Sequence, residues 1–280
     1  MNGTGFISLI IIIANVIISY RGFKDPVFFQ RYLFDVDRIL INKEYYRFIT
    51  SGFLHVSWMH LIFNMVALFF FSGAVEAVAG DWGYLIIYFS SLIGGDLLSF
   101  LIHRNEGDYT AVGASGAVMG IIFASIALFP DMPIRLFILP AIPAWLYGLV
   151  YVLYSIYGIR SRRDNVGHDA HLGGALIGMG VALLMHPEVI LGHYIVLLLI
   201  TVPSIFFIYM IITRPGFLLV DNFFFNKHNR NFTIDQRYNI EKIDKQTEVD
   251  RILDKINRSG MKSLTLKEKQ MLDEYSKISR

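Results

Sequence analysis

The sequence predicts an all-α membrane protein, and three observations predict it. Apolar residues fill 54% of the 280 positions and charged residues 17%, against roughly 25% charged in a soluble chain. Seven runs are long and apolar enough for spanning helices, which need about 17–25 mostly apolar residues each. Charge is also segregated: residues 1–213 hold 11 of the 25 Lys+Arg and 13 of the 23 Asp+Glu, and the last 67 residues hold the other 24 charges. A membrane-embedded body with a polar tail follows. A soluble single-core enzyme and a disordered chain are excluded. The net charge of +2 is too small to draw a polyanion, so no nucleic-acid partner is expected. Without cysteine there is no disulfide, thiolate metal site or thiol nucleophile.

The first run, Gly5–Tyr20, lacks the basic start and small-residue cleavage site of a signal peptide, so it is kept as a helix. The connection 21–57 mixes charges with Phe28, Phe29, Tyr32, Phe34, Tyr45, Tyr46 and Phe48, which suits a segment lying in the membrane interface. Trp58–Val78, Trp82–Ile102, Gly113–Phe129, Ile134–Tyr157 and Ala170–Met185 supply helices two to six. A seventh run, Ile190–Ile212, contains Pro203, where a kink is expected. The expected domains are a catalytic core at 1–187, an extra spanning helix at 188–213 and a soluble tail at 214–280. In the tail, Val249, Ile252, Leu253 and Ile256 share one helical face before Ser259-Gly260. Thr265 and Glu268 form a capping box ahead of Met271, Leu272, Tyr275 and Ile278. This small helical hairpin, about 248–279, cannot build its own core. It reads as a docking element for an unidentified partner.

Polar side chains are costly in hydrocarbon, so each one inside the body is a functional candidate. His60 and Asn64 stand near the start of helix two, Ser115 near that of helix four, and His171 near that of helix six. Successive crossings alternate direction, so these starts lie on one membrane face. Parity alone brings a serine, two histidines and an asparagine to one depth. Helix four carries Gly116, Gly120 and Ala124, and helix six carries Ala170, Gly174, Gly178 and Ala182. Such i, i+4 stripes of small residues let backbones approach closely. A close crossing would bring the Ser115 hydroxyl near the His171 imidazole, the pairing that activates a serine nucleophile. Both helices are short, so their starts are expected below the surface, in a cavity open to the water that hydrolysis needs. Asn64, His60 and the Ser115 backbone N–H supply donors for an oxyanion.

These residues occur in patterns that resemble the rhomboid intramembrane serine proteases, from about Glu44 to Met185. Glu44-Tyr45-Tyr46-Arg47 is similar to the first-loop Trp-Arg motif, with Tyr46 for Trp, and His60-Leu61-Ile62-Phe63-Asn64 to His-x-x-x-Asn. Gly73-Ala74-Val75-Glu76 resembles the end of helix two with its structural glutamate. Gly113-Ala114-Ser115-Gly116 resembles Gly-x-Ser-Gly, and Ala170-His171-Leu172-Gly173-Gly174 resembles Ala-His-x-x-Gly. The resemblance implies a six-helix rhomboid-like transmembrane bundle, here with a seventh C-terminal helix and the helical tail. It implies Ser115 as nucleophile, His171 as general base, and Asn64, His60 and the Ser115 amide around the oxyanion. Arg47, Glu76, Gly113, Gly116, Gly120, Gly174 and Gly178 become structural residues. Met119 stands one turn after the serine, where members often place an aromatic on the histidine ring.

The expected activity is hydrolysis of peptide bonds in or near transmembrane segments of membrane proteins, in a lipid bilayer, with no cofactor and no metal. The cell membrane is the expected location. Asp169 lies two positions from His171, about 200° around the helix, so the pattern is a serine–histidine dyad. Asp169 and His168 are expected at the cavity rim or against a loop, Asp96 with a local partner, and Arg47 at the headgroup level. Gly94-Gly95-Asp96 approaches the Gly-x-Gly-Asp of aspartyl intramembrane proteases, but Ile93 replaces the first glycine. No His-Glu-x-x-His is present for zinc. The non-enzyme alternative is an inactive rhomboid-like protein that binds transmembrane clients; it should have lost the serine or the histidine. Loops one, three and five carry 6, 1 and 3 Lys+Arg and the opposite face only Arg135, so the positive-inside rule puts the serine's face in the cytoplasm. The resemblance implies the reverse orientation, which is adopted.

Overall fold

The structure is a computed structural model that describes residues 5–134, 140–161, 166–213 and, in the tail, 252, 255–256 and 264–265. It divides into two compact units, Met1–Asn222 and Phe223–Arg280. The described part of the first unit is all-α apart from two pairs of two-residue strands. In the second unit Ile252, Lys255 and Ile256 are helical, and Ile252 and Leu264 are buried. The rest of the predicted hairpin, about 248–279, lies outside the described residues.

Helix α1 (Phe6–Lys24) is apolar over most of its length, with Arg21 and Lys24 in its last turn. The first connection is built from short helices instead of a loop: α2 (Pro26–Tyr32), α3 (Val36–Asn42) and α4 (Arg47–Thr50). Side chains start the first two. Asp25 accepts from the Phe28 N–H at 3.0 Å with Pro26 at the first helical position, and Asp35 accepts from the Arg38 N–H at 3.0 Å, each filling an orphan donor of a first turn. A short antiparallel pair, β1 (Phe34–Asp35) with β2 (Thr110–Ala111), ties this connection to the segment before Ser115.

Helix α5 runs from Trp58 to His103, 46 residues, with one break at Gly80 (φ 69°, ψ 175°). A left-handed φ suits glycine. At 1.5 Å per residue this helix reaches about 69 Å, enough to cross a hydrocarbon core of about 30 Å twice, so its halves are predicted helices two and three. Then follow α6 (Ser115–Leu128), α7 (Ala144–Ser161), α8 (His168–Met185) and α9 (Glu188–Thr213). Among the described residues, α1, α5, α8 and α9 are long and apolar enough to cross a membrane. Their outward faces carry Ile13, Ile17, Phe69, Phe70, Leu191 and Phe206, all exposed, an apolar surface that suits lipid.

Two expectations are corrected. Helix five was predicted over Ile134–Tyr157, but α7 begins at Ala144, and β3 (Pro133–Ile134) instead pairs with β4 (Ile142–Pro143). Pro133, Pro140 and Pro143 explain this, because each removes an N–H and disfavours helix at the residue before it. The backbone of α9 departs from helical geometry at His193 (φ −134°, ψ 19°) and not at the predicted Pro203.

Helix α6 sits at the centre, packed chiefly on α8 and α5. Every residue from Gly116 to Leu128 is buried. Small residues make that possible. A Cβ on Gly174 would strike the Gly116 carbonyl, and one on Gly178 would strike the Gly120 backbone. A Cβ on Gly95 of α5 would meet the Ala170 carbonyl of α8. Three backbones thus touch, as the small-residue stripes of α6 and α8 predict.

Candidate active site

Ser115 is the first residue of α6 and is half-buried. With 14 residues, α6 reaches only about 21 Å, less than the hydrocarbon thickness of about 30 Å. Among the described residues no side chain caps its start, so its first N–H groups and the positive end of its dipole face the Ser115 side.

The approach to Ser115 is tightly specified. Gly113 has φ 133°, a conformation that side chains resist. A Cβ there would lie 2.7 Å from His60 Cε1, 2.9 Å from His60 Nε2 and 3.5 Å from Ser115 Oγ. The missing Cβ is what lets the His60 ring and the serine hydroxyl share this space. The Gly113 N–H donates to the Ser51 carbonyl at 3.1 Å, and the Ser51 hydroxyl donates to buried Asp96 at 2.9 Å. The expected local partner of Asp96 therefore comes from the first connection.

At the start of α5, Ser57 accepts from the His60 N–H at 3.2 Å. Asn64 is buried, and its side-chain NH2 donates to the His60 carbonyl at 3.1 Å, which leaves the amide's second hydrogen for another acceptor. His55 lies edge-on to His60, with ring centroids 4.8 Å apart, and its Nδ1 is 2.8 Å from the Ser19 hydroxyl.

His171, half-buried, lies in the first turn of α8. Its chain neighbour Ala170 meets Gly116, the neighbour of Ser115: a Cβ on Gly116 would be 3.4 Å from the Ala170 carbonyl oxygen. Residues 115 and 171 therefore flank the place where α6 and α8 touch. Gly116, Gly120, Gly174 and Gly178 form that contact, and Met119 is buried. The aromatic touching His171 comes from α7: the Tyr151 hydroxyl is 2.8 Å from His171 Nδ1.

Two predicted structural residues lie away from this cluster. Arg47 is fully buried inside the protein. Its guanidinium bonds the Glu44 carboxylate at 2.6 Å and the Gln30 and Leu33 carbonyls at 3.2 and 2.5 Å, so it knits the first connection from within. Burial pushes the Glu44 carboxyl up, but hydrogen bonds from Arg47 and Tyr46 outweigh this and hold it below its ordinary value. Glu76 accepts the Ile7 and Ser8 N–H groups at 2.8 and 3.0 Å, the orphan donors at the start of α1.

Asp169 and His168 are buried and not at a rim. Asp169 accepts from the Ser99 hydroxyl at 2.5 Å and lies 3.2 Å from His103 Nε2, so it joins α8 to α5 and not to a loop. Sequence reasoning missed His55, His103 and Tyr151. Tyr147, Tyr151 and Tyr154 form an i, i+4, i+7 stripe, a signal that marks a face without naming its neighbour.

A family model described as Rhomboid domain matches residues 42–188, just over half of the chain. A second model, described as a family of unknown function (DUF6576), matches residues 232–278. The chain is 27% identical over 187 residues to RHOMBOID-like protein 12, mitochondrial, of Arabidopsis thaliana, covering 61% of this chain and 55% of that one. It is 32% identical over 161 residues to Rhomboid protein 1, mitochondrial, of Saccharomyces cerevisiae, covering 54% and 44%. It is 28% identical over 144 residues to Rhomboid protease GluP of Bacillus subtilis, covering 51% and 27%. The chain thus spans about half, or less, of the length of these curated relatives. With the family model over most of the helical body and an all-α fold of apolar helices beneath it, the chain belongs to the rhomboid family and is an integral membrane protein.

Proposed function

We propose that this chain is an intramembrane serine endopeptidase that cleaves peptide bonds in or near transmembrane segments of membrane proteins. The observation that carries this reading is the glycine-lined contact of α6 with α8, flanked by Ser115 and His171. Ser115 attacks the scissile carbonyl while His171 takes its proton and later returns it to the leaving amine. The oxyanion falls to the first N–H groups of α6, the free hydrogen of the Asn64 amide and the His60 ring. Preorganised donors of this kind are worth about 2.7–4 kcal/mol each in soluble proteases. The short α6 supports a serine set below the surface yet open to water. A substrate helix hides its carbonyls in hydrogen bonds, so segments weakened by Gly or Pro are the preferred targets.

The wider organisation belongs to the same proposal: a catalytic core at 1–187, an added helix at 188–213, a tail at 214–280, and residence in the cell membrane. Fractionation of a tagged chain tests the location.

A fluorophosphonate probe tests the chemistry. Labelling of the full chain in detergent or lipid is expected at Ser115, lost in Ser115→Ala and strongly reduced in His171→Ala. Labelling that survives Ser115→Ala ends the protease reading, and no labelling together with tight binding of transmembrane peptides would leave a client-binding protein instead.

A further inference from the structure

An imidazole that serves as a base uses one nitrogen, and what the other one touches decides whether it is ready. The Nδ1 of His171 lies 2.8 Å from the phenol oxygen of Tyr151, on α7 and 20 residues earlier in the chain. The tyrosine is itself held. Its ring meets Phe123 of central α6 edge-on with centroids 6.1 Å apart, and stacks on Tyr147 at 6.0 Å. The His171 ring is tilted against it at 33° and 6.4 Å.

We propose that Tyr151 is a positioning residue for His171: its phenol oxygen accepts the Nδ1–H and so fixes the tautomer whose bare Nε2 serves the serine. The inference rests on the Ser115–His171 reading. A neutral imidazole carries one N–H, on one nitrogen or the other. If the phenol donated to Nδ1, the proton would sit on Nε2 and no base would be left for the hydroxyl. The productive arrangement therefore has Nδ1 donating and the phenol oxygen accepting. The phenol proton must then turn elsewhere. Ser155, fully buried one turn further along α7, has a hydroxyl with no other hydrogen-bond partner among the described residues, and it is the acceptor for that proton.

This is the role a buried aspartate plays in soluble serine proteases, where it holds the imidazole in the correct tautomer. The nearest acid in sequence, Asp169, is already committed to Ser99 and His103 on α5. A phenol orients the ring without placing a carboxylate, costly in hydrocarbon, behind it.

Tyr151→Phe keeps the ring and removes only the oxygen. In the full chain in lipid, kcat is expected to fall about 10- to 100-fold, the weight of one orienting hydrogen bond, with KM and thermal midpoint unchanged. A second measurement does not need turnover. In the Ser115→Ala background, 15N spectra of labelled histidine should show His171 protonated at Nδ1, and Tyr151→Phe should convert it to a mixture of tautomers. Wild-type kcat in Tyr151→Phe, or a His171 spectrum identical with and without the phenol oxygen, overturns the inference while the protease reading stands. Absence of Ser115 labelling in the wild type removes that reading, and this inference with it.

Discussion

Helices α6 and α9 are equally apolar in composition, yet one is enclosed and the other is not. All residues of α6 after Ser115 are buried, whereas α9 buries only Leu197, Ile200, Ser204 and Phe207. In water, apolarity would send both inside. In lipid it decides nothing, because hydrocarbon surrounds a helix as willingly as protein does. Size decides instead. Helix α6 offers Gly116, Ala117, Gly120, Ala124 and Ala127 to its neighbours, while α9 presents Leu191, Ile195, Leu198 and Phe206 outward. The enclosed helix also escapes the need to match the bilayer, so 14 residues suffice for it.

The sharpest way to break this contrast is to enlarge the enclosed helix's partner. Gly178→Leu drives a side chain into the Gly120 backbone and is expected to cost more than about 3 kcal/mol, with loss of probe labelling. A thermal midpoint within about 2 °C of wild type would refute the size argument. Next is Arg47→Lys. The fork to Glu44 and two carbonyls is lost in a fully buried place, for an expected loss of about 2–4 kcal/mol, read by thermal unfolding in detergent. Glu76→Gln removes the charge from the amino end of α1 and should cost about 1 kcal/mol, seen in the same assay with probe labelling nearly intact. Smallest of all is Gly192→Ala on α9. Its new methyl group meets nothing within 4 Å among the described residues, so a change within about 0.5 kcal/mol is expected. A large effect there would mean that α9 has a protein neighbour.

The same contrast explains what was legible in advance. Apolar run length located the helices, and the small-residue stripes marked which two would touch, because both signals live on single helices. Crossing parity then gathered Ser115, His171, His60 and Asn64 at one face. What stayed hidden needed the register of one helix against another. Asp169 looks like a rim residue until Ser99 and His103 are seen opposite it. Tyr151 looks like one of many lipid-facing aromatics until α8 brings His171 to its hydroxyl. The start of α7 was misplaced for a local reason: Pro133, Pro140 and Pro143 interrupt an otherwise apolar run, and hydropathy alone does not see them.

The bonds from Glu76 to Ile7 and Ser8 carry a consequence for biogenesis. A ribosome releases α1 well before it has made its clamp, 69 residues further on. During that interval the first helix must wait in the bilayer with those amide hydrogens unmet or borrowed by water at the surface. The clamp can close only when the far end of the next crossing has been threaded through, so that contact of α1 comes after the one Ser19 makes with His55.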